Sequence, residues 1–444
     1  MTEIISTYIA AEAGRIMSIG EIKRDRYLNE LISRKHNRLI KVVTGLRRVG
    51  KSYLIFTLFY HHLLENGIDE SHILKIQLDQ RKYEKYQNPD LFLSYIESKI
   101  EDNTTQKRNE ENMYYILLDE VQLMNDFESV LNTLLSFENV DVYVTGSNSK
   151  FLSRDVITEF RGRGDEIHVY PLSFSEFLSV YDGDIYQAFD EYMIYGGMPA
   201  CVKYTSEQQK TAYLKTLFQE TYLVDILQRY NFRNTEELSS LLDIIASDIG
   251  SLTNPMRIRN TFSSVLSSSI SRTTITQYLL AFEDAFLIKK AMRYDVRGRK
   301  YIGTPQKYYF EDTGLRNARL NFRQIEDTYL MENVIYIELC RRGFSVDVGV
   351  IDRREKDAGN HVVRKQYEID FVANLGSKRY YIQSAFSISN EEKRRQESKS
   401  LILAGDNFKK VVIVGDRIHV RHDEAGITTL SIYDFLLKEN ALDL

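Results

Sequence analysis

The amino-acid pattern predicts an α/β protein of several domains, with a parallel sheet and crossover helices first and a mixed α/β sheet last. Three observations predict it. From Ile22 to about Pro171, short β-branched runs alternate with amphipathic stretches, as in strands joined by helices. From Ser173 to about Tyr230 the spacing is helical, broken once at Tyr195-Gly196-Gly197-Met198-Pro199, where Gly and Pro mark a helix end and a turn. Beyond Gln324 the pattern is again mixed, with strands at Tyr367–Ala373, Arg379–Ala385 and Val411–Val414.

The first strand is Leu39–Thr44, and it runs directly into Gly45. Further strands are predicted at Ile73–Leu78, Tyr114–Leu118, Val140–Thr145 and Glu166–Tyr170. Between Glu236 and Arg319 come several short helices, then a hairpin-like pair, Phe286–Arg293 and Lys307–Glu311. A basic turn, Val296-Arg297-Gly298-Arg299-Lys300, lies between its strands. These shifts divide the chain into an N-terminal extension (1–21), a parallel-sheet core (22–172), a helical segment (173–235), a short-helix and hairpin segment (236–323) and a final α/β domain (324–444).

Size and composition narrow the classes. A chain of 444 residues exceeds one ordinary core. A net charge of −5 argues against a generally basic nucleic-acid coat, although a local basic face fits inside a balanced total. Cys201 and Cys340 are far apart and lack metal-ligand spacing, which suits a reducing cytoplasm. The most apolar segment, Tyr53 to Leu64, is interrupted by His61 and His62 and is too short for a bilayer. Glu3, Glu12 and Arg15 stand where a secretion signal would be apolar. The expectation is a cytoplasmic protein with no membrane partner.

The chemistry begins at Gly45-Leu46-Arg47-Arg48-Val49-Gly50-Lys51-Ser52, a full match to G-x-x-x-x-G-K-[ST], the Walker A or P-loop pattern. Its glycines let backbone N–H groups close around phosphates. Lys51 would reach the β- and γ-phosphates, and Ser52 would hold Mg²⁺. Tyr53 opens the helix that follows, whose positive end faces the anion. The competing reading is a surface turn with a solvated lysine; the strand before and the helix after argue against it.

A second element completes such a site. Tyr114-Tyr115-Ile116-Leu117-Leu118 is an apolar strand ending in Asp119 and Glu120. Asp119 would orient the Mg²⁺ shell, and Glu120 would act as general base on the attacking water. After Val142-Tyr143-Val144-Thr145-Gly146, the polar run Ser147-Asn148-Ser149 offers a γ-phosphate contact, with Asn148 the first choice and Ser147 the second. Arg161 and Arg163 either stabilise charge on the transferred phosphoryl group, within or between subunits, or are a solvated pair near a helix end.

These residues resemble a family. Gly45 to Ser52, Leu118-Asp119-Glu120-Val121-Gln122 and Thr145-Gly146-Ser147-Asn148-Ser149 are similar to the motifs of prokaryotic AAA-type ATPases. More narrowly, they resemble the subgroup with a C-terminal domain of uncharacterised role. Pro171-Leu172-Ser173-Phe174-Ser175-Glu176-Phe177, Tyr195 to Pro199 and Tyr309-Phe310-Glu311-Asp312-Thr313-Gly314-Leu315 match further stretches. The resemblance runs from about Ile22 to Leu437. It implies an AAA-type core, a helical lid over 173–235, a winged helix over 236–323 and a domain similar to the PD-(D/E)xK nuclease fold over 324–444. It also implies ATP, in the absence of an Asn-Lys-x-Asp guanine-reading motif, and oligomers are common among such cores.

In the winged-helix segment, Ser271 caps a helix beginning Arg272-Thr273-Thr274, the residue mix of a recognition helix. Arg293, Arg297, Arg299 and Lys300 are wing candidates for DNA phosphates; alternatively the module only connects domains. For nuclease chemistry the resemblance assigns Glu332 and Asp370, and then expects Glu-x-Lys on the next strand. That strand reads Gln383-Ser384-Ala385, which argues against cleavage unless Lys393 or Arg394 replaces the cation. The expected function is Mg²⁺-dependent ATP hydrolysis that rearranges the appended domains. The alternatives are a slowly hydrolysing scaffold that binds a protein partner, and a DNA-processing ATPase.

Overall fold

The computed structural model describes residues 22–100, 112–146, 162–232, 234–265, 269–356, 360–388 and 391–444. The chain divides into two compact units, Met1–Tyr170 and Pro171–Leu444.

The first unit is a five-stranded parallel sheet. Its strands are β1 (Ile40–Thr44), β2 (Ile73–Gln77), β3 (Tyr114–Asp119), β4 (Val140–Thr145) and β5 (Gly164–His168), in the order β2-β3-β4-β1-β5. All five expected strands form, within two residues at each end. Helix α1 (Asp25–Ser33) precedes β1, and α2 follows it in three segments, Lys51–Tyr53, Leu54–Phe59 and Tyr60–Glu65, the middle one with π spacing. Helices α3 (Pro89–Lys99) and α4 (Phe127–Leu134) follow β2 and β3.

Strand alternation sorts the side chains by face. Val42, Ile76, Ile116, Leu118, Val142 and Val144 pack with Phe92 and Ile96 of α3 and with Val130, Leu131 and Leu134 of α4. Tyr115 and Tyr143 point the other way and meet Phe59 of α2. Each such buried side chain contributes about 1.5–3 kcal/mol. A sheet buried on both faces explains why its strands read as unbroken apolar runs.

The second unit joins helices to a mixed sheet. Its helices before the sheet are α5 (Phe174–Leu178), α6 (Ile185–Tyr195), α7 (Glu207–Thr216), α8 (Val224–Tyr230), α9 (Thr235–Ser247), α10 (Pro255–Val265) and α11 (Arg272–Asp284). Ser271 caps α11 as expected, its hydroxyl accepting from the Thr274 N–H at 3.0 Å. The hairpin then forms as β6 (Ile288–Asp295) and β7 (Lys300–Phe310). Helices α12 (Thr313–Arg319) and α13 (Asp327–Arg341) lead to β8 (Ser345–Lys356), β9 (Val362–Leu375) and β10 (Lys378–Ala385). Helix α14 (Glu391–Ala404) precedes β11 (Lys409–Val414), β12 (Arg421–His422) and β13 (Ile427–Ser431), and α15 (Ile432–Leu437) is the last α-helix.

The strand order is β12-β13-β11-β10-β9-β8-β6-β7. The hairpin is therefore continuous with the last domain's sheet, because Arg293 to Asp295 of β6 pair in parallel with Val348 to Val350 of β8. Strands β8, β12 and β13 were not expected from the sequence. The outer part of β8 is polar and charged, so neither alternation nor an apolar run marks it.

The two family-like stretches around Gly196 and Asp312 lock together. The Asp312 carboxylate accepts the N–H of Gly197 at 2.7 Å and of Leu315 at 2.9 Å. A Cβ on Gly314 would lie 2.0 Å from the Tyr195 carbonyl oxygen, so the backbones touch where only glycine fits. Asn317 donates to the carbonyls of Met193 and Ile194 at 3.2 and 2.9 Å.

Burial pushes Asp312 up to about 6, against the pull of its three backbone donors. Asp312→Ala is expected to destabilise the second unit by about 2–4 kcal/mol, since it orphans buried N–H groups. A group with a raised folded pKa contributes most below its unfolded value and loses that contribution as pH rises through the folded one. Denaturant unfolding should therefore show a larger gap between the unaltered protein and the variant at pH 4 than at pH 7.

Candidate functional site

The conserved geometry of a parallel sheet places a crevice at the carboxyl ends of its strands, and the motif residues of the first unit gather there. Gly45 follows β1 with φ 132°, and a Cβ on it would sit 2.2 Å from the Val169 carbonyl oxygen. Gly50 caps α2 with φ 101°. The loop between them buries Leu46 and Val49 and leaves Arg47 and Arg48 exposed. Lys51 is buried, its Nζ donating to the carbonyls of Gly45 and Leu46 at 2.9 Å each. Ser52 and Tyr53 are half-buried in the first turn of α2.

Strand β4 lies between β1 and β3, so its last residue stands between the loop and the acidic pair. That residue, Thr145, donates its hydroxyl to the Asp119 carboxylate and accepts the Glu120 N–H at 3.3 Å. The Gln77 amide also donates to Asp119, at 3.4 Å, and the Gln122 amide donates to the Glu120 carboxylate. Glu120 has φ 52°, a left-handed conformation that costs a non-glycine residue about 1 kcal/mol. Backbone strain of this kind concentrates at functional sites.

Two further residues join the site without a sequence signal. Asp79 follows β2 beside the end of β3, where the Leu78 N–H donates to the Asp119 carbonyl at 3.2 Å. Partial burial, then Asp119 and Glu120, push the Asp79 carboxyl up, and Arg47 opposes them. Arg24 lies behind the loop, its guanidinium donating to the carbonyls of Tyr170 at 2.6 Å and Val49 at 3.5 Å. It also stacks over the Tyr27 ring at 4.7 Å. Neither belongs to a short motif; the parallel register of β2 and β3 brings in Asp79, and Arg24 reaches the loop from the start of α1.

Ser147, Asn148 and Arg161 lie outside the described residues. Arg163 stands at the amino end of β5, where its carbonyl accepts the Ile40 N–H at 2.8 Å and its guanidinium donates to Asn132 at 3.2 Å. That is the end of the sheet opposite Gly45. The donor set suits Mg²⁺, which takes one or two protein oxygens and completes its shell with phosphates and water. Ser52 and Asp119 supply hard oxygens, and among the described residues no group of three or more acidic, His or Cys side chains forms a metal cage.

Comparison with known proteins agrees with this geometry. A family model described as an AAA domain matches residues 37–178. An uncharacterised protein of Haemophilus influenzae is 34% identical over 427 residues, covering 95% of this chain and all of that one. The chain belongs to one family with that Haemophilus influenzae protein, and its residues 37–178 match the AAA domain. A second model, a domain of unknown function (DUF8612), matches residues 186–326. An uncharacterised protein of Methanocaldococcus jannaschii is 26% identical, covering 80% of this chain and 77% of that one. Among solved structures, a Walker-type ATPase of Pyrococcus abyssi is 14% identical, with a TM-score of 0.47, covering 68% of this chain and 96% of that one. The Aeropyrum pernix ORC1 protein in complex with DNA is 12% identical, with a TM-score of 0.28, over 68% of this chain and 93% of that one.

The second unit of this AAA-domain protein holds another polar centre. Lys307 of β7 lies 2.9 Å from Glu332 of α13 and 2.8 Å from Glu368 of β9. Tyr309 donates to Glu332 at 2.7 Å, and Asp370 accepts the Ser384 N–H at 2.8 Å. A bulge, where Asp347 pairs with Val372 and Gly349 with Ile369, sets Asp370 and Phe371 opposite one residue of β8. Burial and then Glu332 push Asp370 well above the usual carboxylate range, and Lys307 opposes them.

The expected Glu-x-Lys positions fall on the other side of the sheet. Gln383 accepts the Ser400 hydroxyl of α14 at 3.2 Å, and Ala385 packs with Leu401 and Ala404 of the same helix. Lys393 and Arg394 belong to α14 too, so the cation beside Glu332 and Asp370 is Lys307. Of the wing candidates, Arg293 is buried and donates to Gln366 at 2.5 Å, and Arg297 donates to the Leu403 carbonyl at 2.9 Å. Arg299 and Lys300 are exposed. No described helix is long and apolar enough to cross a membrane.

Proposed function

We propose that the chain hydrolyses ATP with Mg²⁺ at the carboxyl ends of β1, β3 and β4, and uses nucleotide state to rearrange its appended domains. The observation that carries this reading is the Thr145 hydroxyl, which ties Asp119 to the Glu120 backbone beside the Gly45–Ser52 loop. When bound, Mg²⁺ would neutralise phosphate charge, held by Ser52 and Asp119. Lys51 exchanges its loop carbonyls for phosphate oxygens, and the loop N–H groups surround the rest. Glu120, restrained by Gln122 and by its left-handed backbone, takes the proton of the attacking water.

Asn148 is the γ-phosphate contact in this reading. Arg163, at the far end of the sheet, serves a neighbouring subunit's site, and Arg161 lies near it in sequence. The second unit is expected not to cleave nucleic acid, because the Glu-x-Lys pair is missing from β10, which reads Gln383-Ser384-Ala385.

The test is steady-state ATP turnover with Mg²⁺ or with excess chelator, for the unaltered protein and Thr145→Val. Hydrogen bonds to charged groups are worth about 1.5–3 kcal/mol, so kcat should fall by about 10- to 100-fold with nucleotide affinity retained. Thr145→Ser should restore most of it. ATP bound tightly by the unaltered protein without Mg²⁺-dependent turnover would replace this reading with the nucleotide-gated scaffold.

A further inference from the structure

The outer half of the β8–β9 hairpin stands clear of its own sheet. Strand β6 pairs with β8 at Val348 to Val350, and β10 pairs with β9 at Phe371 to Leu375. From Ile351 opposite Tyr367 out to Lys356 opposite Val362, β8 and β9 pair with each other, both outer edges free among the described residues. Six residues per strand make a ribbon about 20 Å long.

Its charge is one-sided. Within 351–356 and 362–367, Arg353, Arg354, Lys356, Arg364 and Lys365 stand against Asp352 and Glu355, in a chain whose net charge is −5. Arg364 pairs with Asp352 at 2.5 Å, and Glu355 accepts from the Tyr367 hydroxyl at 2.8 Å. Arg353, Arg354, Lys356 and Lys365 have no carboxylate within 4.0 Å among the described residues.

The register sets like against like, Arg353 opposite Lys365 on one face and Arg354 opposite Arg364 on the other. Directly opposed like charges destabilise a strand pair. Lysines also shield a free edge from strand addition, but shielding does not require cations set directly opposite one another across the pair. Beside the first face, Lys399 of α14 lies 4.8 Å over the Tyr367 ring and Lys365 lies 5.3 Å from it. At the far end Val362 and Val363 are 66% and 38% exposed.

We infer that this ribbon binds duplex DNA, entering the major groove. A groove about 12 Å wide admits a two-stranded ribbon, whereas the deep, narrow major groove of A-form RNA does not. Cations on both faces reach phosphates on either side of the groove, and the exposed valines supply apolar contact to base edges such as the thymine methyl. The inference does not depend on ATP turnover.

The experiment is fluorescence anisotropy of a short labelled DNA duplex with the full chain, between about 50 and 200 mM salt. Arg353→Glu with Lys365→Glu should weaken binding by roughly tenfold or more at the low end and lower the salt slope by about 1.8, two phosphate contacts' worth. Arg353→Gln with Lys365→Gln, which introduces no new charge, should move both in the same direction. ATP turnover should be unchanged and the fold retained, since both substituted side chains are exposed, with the Gln pair at least as stable as the unaltered protein because it removes the opposed like charges. Duplex binding that is absent, or present and unaffected by either double variant, would overturn the inference. So would equal, ribbon-dependent binding of double-stranded RNA or polyglutamate.

Discussion

Glu120→Gln is expected to cut ATP turnover by about 100-fold or more while ATP still binds. The amide keeps the size and hydrogen-bonding reach of the carboxylate but cannot take a proton from water. Its surroundings favour a clean substitution. The Glu120 N–H stays on Thr145 at 3.3 Å, and the left-handed turn is set by the backbone. The measurement is single-turnover hydrolysis beside equilibrium binding of a fluorescent ATP analogue. Loss of kcat with unchanged affinity assigns the base to Glu120. Unchanged turnover would move that role elsewhere, with Asp79 the next carboxylate at the same strand ends. Loss of binding together with turnover would mean that Glu120 holds the site together rather than acting in the chemical step.

Lys307→Met is expected to destabilise the second unit by about 3–5 kcal/mol, the usual cost of breaking a buried ion pair by removing one partner. Lys307 is buried between Glu332 and Glu368, with Asp370 near enough to feel its charge. Methionine fills most of the space and leaves the carboxylates facing one another. Asp370 is already held well above the ordinary range, and removing the opposing lysine raises it further. A raised folded pKa means stability lost as pH rises. The variant should therefore be closer to the unaltered protein at pH 5 than at pH 8 in denaturant unfolding. Adding Glu332→Gln to Lys307→Met should recover part of the loss, because it removes the charge that Lys307 neutralised. If the double variant lost the full sum of the single effects, the pair would not be coupled, and the centre would owe its stability to packing around Tyr309, Tyr336 and Phe371.

The sequence by itself determined the first unit and the identity of its loop. Strand, glycine loop and helix are consecutive, so local rules suffice: period-2 and apolar runs for β1 to β5, and a pattern of fixed spacing for Gly45 to Ser52. Asp119 and Glu120 were legible for the same reason, since they end an apolar strand. Thr145 was passed over in favour of Ser147 and Asn148, because only the strand order sets the end of β4 between the loop and the acidic pair. Lys41, inside an apolar strand, gave no signal until β4 placed Asp141 beside it as an ion pair.

The second unit was legible as helices and strands but not as one sheet. The hairpin of β6 and β7 was assigned to a separate wing, yet its parallel contact with β8 crosses about fifty residues of sequence, and no local pattern encodes such pairing. The same holds for Lys307, which reaches Glu332 and Glu368 from a strand far from both. On β10, alternation alone states that Gln383 and Ala385 share a face. Which face that is depends on where α13 and α14 pack, and tertiary structure decided it. Local sequence carries backbone conformation and short motifs because both act within a few residues. Partners across strands and faces are set by long-range packing, and there the structure placed Lys307, Thr145 and the outer ribbon of β8 and β9.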